Sequence, residues 1–248
     1  MNPNDREDGV QEPPSETEGE SANSFYRTIK TYVMRAGRMT SAQEKAYNDL
    51  SHIYCVPYEE KPINFVEIFG NANPIIVEIG FGMGAATIEL AKQNPNINYL
   101  GIEVHKPGVG RVLSEIRAND LKNLYVVEHD ALDVLEKMIG DDAVDGFHVF
   151  FPDPWPKKKH HKRRLMRRPN TNLLARKLRE GGYLYMCTDW AEYADEALEE
   201  LRATESLKNK YDGFAPRQEW RPQTKFERKG IDAGREIREL FFTKVGAE

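Results

Sequence analysis

"PIIVEIGFGMGAATIELAKQN", residues 74–94, decides how the rest of the chain is read. An apolar, strand-forming run opens into Gly80, Gly82 and Gly84, and a segment with helical spacing of its apolar residues follows. The pattern predicts a strand over 74–80 and a helix over 85–94. Three glycines at a strand-to-helix turn permit a tight bend and let a ligand approach the backbone.

The same alternation continues downstream. Strands are expected at 98–104, 124–129, 144–151 and 183–189, and helices at 106–119, 131–139, 170–182 and 190–203. Two late strands are expected at 210–214 and 237–245, and a helix at 41–52 before the alternation begins. Strand-helix alternation argues for an α/β fold. The expected sheet has seven strands, mostly parallel, with helices on both faces and the last two strands pairing antiparallel at an edge. Ligands of such folds sit beyond the carboxyl ends of the strands. That rule points at Gly80–Gly84, Glu103, Asp130, Phe151–Lys159 and Asp189.

The net charge of −5 is unevenly spread. Residues 1–24 hold seven acids and one Arg, which leaves about +1 for the rest of the chain. This tail has too few apolar residues to offset its ordering entropy and is expected to be disordered. Residues 25–73 read as an arm and connecting segment, and 74–248 as the main domain. Two Cys are too few for a disulfide framework or a zinc site, and point to a reducing compartment. The N-terminus lacks a signal pattern, and no apolar run approaches the ~20 residues that span a bilayer. A cytoplasmic chain with no membrane contact is expected, monomeric, with a dimer left open.

Glu103 ends the second strand, where an acid can accept hydrogen bonds from ribose hydroxyls, and Asp130 ends the third, within reach of an adenine edge. The loop therefore reads as a nucleoside pocket. Read as Gly80-x-Gly82-x-x-Ala85 it also satisfies a dinucleotide fingerprint. Glu78 counts against that alternative, because a carboxylate there would face the pyrophosphate the loop should attract. It suits a cationic nucleoside instead, and S-adenosylmethionine is one.

"FPDPWPKKKHHKRRLMRRP", residues 151–169, follows the fourth strand. Its prolines stiffen the backbone around Asp153. Asp153 could accept from ring N–H groups of a planar base while Trp155 offers a flat face. Eight Lys and Arg then fall within residues 157–168. Charge of one sign at this density calls for counter-ions, and phosphates supply them. His160 and His161 lack the partners of a metal set, so no metal is expected.

These blocks, "VEIGFGMG" (77–84), "GIEVHKPGVGRVL" (101–113), "FPDPWPKKKHHKRRL" (151–165), "TDW" (188–190) and "TKFERKG" (224–230), together with "YVMRAGRMTSAQ" (32–43), resemble the bacterial tRNA (guanine-N7)-methyltransferase family. The resemblance implies a Rossmann-like class I methyltransferase fold. It implies transfer of a methyl group from S-adenosylmethionine to N7 of a guanine in the variable loop of tRNA, position 46 in standard tRNA numbering. Glu78, Gly80, Gly82, Gly84, Glu103, Asp130 and Asp153 match its cofactor-binding positions, and Asp153 its catalytic acid. Lys157, Asp189, Thr224, Lys225, Phe226 and Glu227 match its substrate-binding positions. Lys159, His160, His161, Lys162, Arg163 and Arg164 match its RNA-contacting segment. Physics alone makes 221–230 a surface loop. The rival readings are an NAD-dependent oxidoreductase, a non-catalytic RNA-binding protein on the same fold, and a methyltransferase for another base position. The last would show Asn/Asp-Pro-Pro-Tyr/Phe where this chain has Asp-Pro-Trp.

Overall fold

The computed structural model describes residues 29–33 and 37–246, so the acidic tail and parts of the expected arm lie outside the described residues. Within them the elements run α1 (Ser41–Tyr54), α2 (Phe65–Phe69), β1 (Ile75–Ile79), α3 (Ala85–Gln93), β2 (Asn98–Ile102), α4 (Lys106–Asn119), β3 (Leu124–Val127), α5 (Ala131–Lys137) and β4 (Val144–Phe150). A 3-10 helix (Lys158–Arg163), α6 (Asn170–Lys177), β5 (Leu178–Thr188), α7 (Ala191–Arg202), β6 (Leu207–Asn209), α8 (Lys225–Asp232) and β7 (Arg238–Lys244) complete them. The sheet order is β3-β2-β1-β4-β5-β7-β6. The first five strands are parallel, and β7 runs antiparallel to both β5 and β6. This is the expected seven-stranded sheet with its antiparallel edge.

The two-residue period of the strands divides the core. Val77, Leu100, Phe147 and Leu184 lie in register on one face, where Leu135 of α5, Leu174 of α6 and Ala197 of α7 cover them. Ile76 and Tyr99 face the other way, against Leu90 of α3 and Leu113 of α4, with Ala46 of α1 packed in. Beyond β1 that second face is covered by aromatic packing. His148 stacks on Trp220 at 4.8 Å and shares a 2.8 Å hydrogen bond with the Tyr183 hydroxyl. Burial pushes the His148 imidazole down to about 3, so it stays neutral. Among the described residues, no helix is long and apolar enough to cross a membrane.

Three expectations are corrected. The helix expected over 170–182 ends at Lys177, and Leu178 already pairs with Val144. Gly181 and Gly182 form an irregularity at the start of β5 rather than a helix cap. A Cβ on Gly182 would lie 2.8 Å from the Arg179 carbonyl oxygen and 3.0 Å from that of Asp145. The strand expected at 210–214 is a turn, because Asn209 folds over it. Its Oδ1 accepts from Tyr211 N and its Nδ2 donates to Gly213 O. The residues that do pair are Leu207–Asn209.

The third correction is α8, where a surface loop was expected. Thr224 and Glu227 form a capping box, each side chain satisfying the other's backbone N–H. Arg221 pulls this helix inward. Its guanidinium donates to both Glu227 oxygens (2.7 and 2.6 Å) and to Glu239 Oε1 on β7 (2.7 Å), all three side chains being buried. Removing one member of a buried ion pair strands the other, at a cost of about 3–5 kcal/mol. Arg221→Met should therefore lose about that much stability in chemical denaturation. Arg217→Ala, whose side chain is half exposed and 3.8 Å from Glu227, should lose less than about 1 kcal/mol.

Candidate functional site

The glycine loop is held from below by Glu103. Its Oε2 accepts from Gly82 N at 2.6 Å, and its Oε1 from Val104 N and His105 N at 2.7 and 2.9 Å. The loop then lies on the first turn of α4 so closely that a Cβ on Gly108 would sit 1.8 Å from the Gly82 carbonyl oxygen. Gly80 and Gly82 are both left-handed (φ 72° and 55°), and a Cβ at either would meet nothing within 4 Å. Backbone with open space beside it is what a ligand-cradling loop requires. Gly84 is different, because its Cβ would strike Val112 at 2.3 Å, so this third glycine serves packing.

Glu78 lies buried on β1, two residues before the loop, and accepts a hydrogen bond from Thr87 Oγ1 at 2.8 Å. Burial pushes its carboxyl up to about 8; the Thr87 bond opposes this and the nearby Glu103 charge adds to it. Such a carboxyl ionises readily only when a cation joins it. Asp130 follows β3, caps α5 through Leu132 N (2.9 Å), and takes the Lys30 ammonium at 2.7 Å. The Asp130 hydrogen bond raises the Lys30 pKa.

Asp153 is half-buried between two prolines. The segment is strained at both ends, with Phe151 at φ 52° and Trp155 at φ 47°. Non-glycine residues in that region persist only where their surroundings enforce it, and they concentrate at functional sites. Phe151 N donates to Cys187 O of β5, which fastens the segment to the neighbouring strand. Trp155 does not offer an open face. Its side chain is buried, its Nε1 donates to Thr31 O (3.1 Å), and the Arg163 guanidinium lies 3.9 Å over its ring. The expected stacking of a base on Trp155 is therefore replaced by stacking of Arg163.

Asp189 follows β5 and pairs with Arg235 at 2.8 Å, beyond the end of α8. At the start of α8, Phe226 is 53% exposed and meets the Phe151 ring edge-on at 5.2 Å. Lys225 is also exposed, whereas Thr224 serves as the helix cap. Glu227 is buried on Arg221, so it holds the helix in place instead of facing a substrate. Thus α8 brings two parts of the chain together: its first turn touches the end of β4, and Arg235 reaches the end of β5.

The basic tract divides by residue type. Lys157, Lys158, Lys159 and Lys162 are exposed. Arg164 is fully buried, donating to Pro154 O (2.8 Å) and to Glu196 of α7. Its place in an RNA-contacting run is a correction. Arg167 and Arg168 pair with Glu196 and Glu200 at 2.8 Å, and His161 lies 3.6 Å from Glu192. His160 meets the Trp155 ring edge-on. Among the described residues, no group of His, Cys, Asp or Glu could hold a metal ion.

Sequence reasoning missed Arg221, Arg235, Thr87 and the contacts of residues 30–32. None of these had a local signal of its own, although Thr-x-x-Glu at 224–227 is a capping pattern that argues for the helix Arg221 holds.

A family model described as "Putative methyltransferase" matches residues 72–240. The chain is 49% identical to a tRNA (guanine-N(7)-)-methyltransferase of Francisella philomiragia, over 88% of this chain and 96% of that protein. It is 46% identical to one of Treponema pallidum, over 88% and 97%. Among solved structures, the 16S rRNA methyltransferase KamB superposes with a TM-score of 0.56 at 16% identity, covering 78% of this chain and 99% of that one. A 16S rRNA (adenine-N1)-methyltransferase from Catenulisporales acidiphilia superposes with a TM-score of 0.55 at 13% identity, covering 77% and 94%. At these identities the two structures speak to the fold alone.

Glu78 gives the unliganded chain a pH signature. The folded chain keeps this proton up to about pH 8, whereas the unfolded chain releases it near the ordinary glutamate value of about 4.5. Between those limits the folded state binds more protons, so its stability falls as pH rises. Glu78→Gln should remove that component. Denaturation midpoints across pH 5–8 should slope downward less in the variant, and equal slopes would place the proton elsewhere.

Proposed function

The chain belongs to the bacterial tRNA (guanine-N7)-methyltransferase family, and we propose that it transfers a methyl group from S-adenosylmethionine to N7 of a guanine in the variable loop of tRNA. The observation that carries this reading is Glu78, a buried carboxyl that pairs with no cation among the described residues, beside a glycine loop whose first two glycines border open space. A phosphate-bearing dinucleotide does not suit that carboxylate, and a cationic nucleoside does. The residues present fit such a cofactor: Glu78 for its positive charge, Gly80 and Gly82 for close approach, Glu103 for ribose hydroxyls and Asp130 for the adenine edge. When bound, S-adenosylmethionine supplies an electrophilic methyl group on a sulfonium.

Guanine N7 carries an in-plane lone pair and no proton at neutral pH. The chain therefore needs no general base at that atom, and its task is orientation. The methylated ring is cationic, and fixed carboxylates lower the energy of the charge as it develops. Asp153 and Asp189 share this task and the holding of N1–H and the N2 amine. The Pro-x-Pro frame stiffens the first, and Arg235 anchors the second. The A-form major groove is too deep and narrow for side chains to read, so an exposed loop guanine is the fitting target. A cytoplasmic site of action follows from a tRNA substrate.

The decisive assay incubates unmodified tRNA with a radiolabelled methyl donor and digests the product to nucleosides. Label in N7-methylguanosine is expected, and label in another nucleoside overturns the reading. Asp153→Ala should reduce the label at least a hundredfold, the scale of losing one preorganised electrostatic group. Full turnover by that variant would sink its assignment.

The exposed lysines answer a separate question. Changing Lys158, Lys159 and Lys162 together to Gln should lower tRNA affinity and shrink its salt dependence by roughly 0.7–0.9 log units per log of salt for each lysine. Arg167→Gln and Arg168→Gln should leave that dependence nearly unchanged, because Glu196 and Glu200 already neutralise those side chains.

A further inference from the structure

Residues 30–32 touch two parts of the molecule that lie on opposite sides of the glycine loop. On one side, Lys30 reaches Asp130 at 2.7 Å and Asp133 at 3.6 Å, just past β3. On the other, the carbonyls of Lys30 and Tyr32 accept from Arg163 Nε and Nη2, both at 2.7 Å, and the carbonyl of Thr31 accepts from Trp155 Nε1. Trp155 and Arg163 both follow β4. In the sheet order β3-β2-β1-β4, the strands between these anchors are β2 and β1. A segment fastened past the carboxyl ends of β3 and β4 passes over the ends of β1 and β2. Glu103 and the glycine loop lie there. The span is about three strand spacings, or ~14 Å. The carbonyls of residues 30–32 all lie at the β4 anchor, so the long Lys30 and Arg163 side chains supply most of that span. The chain then returns over the start of α4, where Gly37 packs so closely that its Cβ would lie 2.8 Å from the His105 ring.

We infer that residues 30–32 are a strap closing the cofactor pocket, and that Arg163 is the positioning residue that anchors it rather than a contact to RNA phosphate. This rests on the reading of that pocket given under Proposed function. The argument is one of capacity. An arginine grips a phosphate with the same fork of N–H donors that it uses on a carboxylate. In Arg163, Nε and Nη2 are spent on two strap carbonyls and the face of the guanidinium on Trp155. A phosphate gripped by this same Nε–Nη2 edge would displace the strap carbonyls. The Trp155 indole, held at positive φ, supplies both the platform for Arg163 and a third bond to the strap. The tract then has two jobs: its exposed lysines meet the RNA, and Arg163 keeps the pocket shut behind it.

The test measures release of S-adenosylmethionine from the full-length chain with no tRNA present, by stopped-flow displacement. Losing two hydrogen bonds to a charged donor should speed release about tenfold or more in Arg163→Lys, which keeps the charge but loses the fork. Lys30→Met, which frees the other end of the strap, should speed release in the same direction. Lys162→Gln should leave release unchanged and reduce the salt dependence of tRNA binding, and Arg163→Lys should leave that salt dependence unchanged. Release at the wild-type rate in both Arg163→Lys and Lys30→Met overturns the strap. Should Arg163→Lys fail to fold, Lys30→Met decides alone, since its half-exposed side chain is removable without opening the core. A wild-type chain that binds no donor at all would instead overturn the reading of the pocket.

Discussion

Three backbone N–H groups converge on one carboxylate, Glu103, and the geometry of the site descends from that convergence. Gly82 lies in the loop after β1, and Val104 and His105 lie at the entrance to α4. Bonding all three ties the end of one strand to the start of the next helix through charge-assisted contacts, the stronger kind. The loop cannot collapse into its own pocket while Gly82 is held this way. The loop also lies directly on α4, where Gly108 leaves just enough room for the Gly82 carbonyl. An acid at this position thus has a structural duty before any ligand arrives, and it keeps the neighbouring glycines beside open space.

The chemistry of the arginines and lysines explains how one basic tract serves several ends. Glu192, Glu196 and Glu200 recur every fourth residue of α7 and line one face of it. Arg164, Arg167 and Arg168 turn toward that face, where planar forks match carboxylates. Buried Arg164 also bonds the Pro154 carbonyl, and so fastens the proline-framed Asp153 segment to the body of the fold. The lysines, compact and strongly hydrated, stay in solvent. A dense run of like charge becomes tolerable because three of its eight members are neutralised within the protein.

On the substrate side, a second buried ionic cluster does comparable work. Arg221 joins α8 to β7, and Tyr185 of β5 donates to the same Glu239. The first turn of α8 is thereby fixed beside Phe151, with Phe226 outward. Glu227 matches a substrate-binding position of the family and is spent inside this cluster. Its importance to substrate is indirect, through where it holds its neighbours.

The strand-glycine-helix unit at 74–94 and the alternation after it were legible from the chain because they are local: hydrophobic period and glycine placement encode each element without help from distant residues. The strand-tip rule then named Glu103, Asp130, Asp153 and Asp189, the place two residues before the first glycine singled out Glu78, and the Pro-rich block named the family. What the chain alone misjudged was long-range. Gly181 and Gly182 look like a helix stop until β4 passes beside them, and Trp155 looks like an open face until Arg163 and Thr31 cover it. Whether an arginine meets solvent or a buried acid, and whether a capping pattern becomes a helix, depends on partners tens of residues away. Those partners are brought in by the sheet order, which only the folded structure decides.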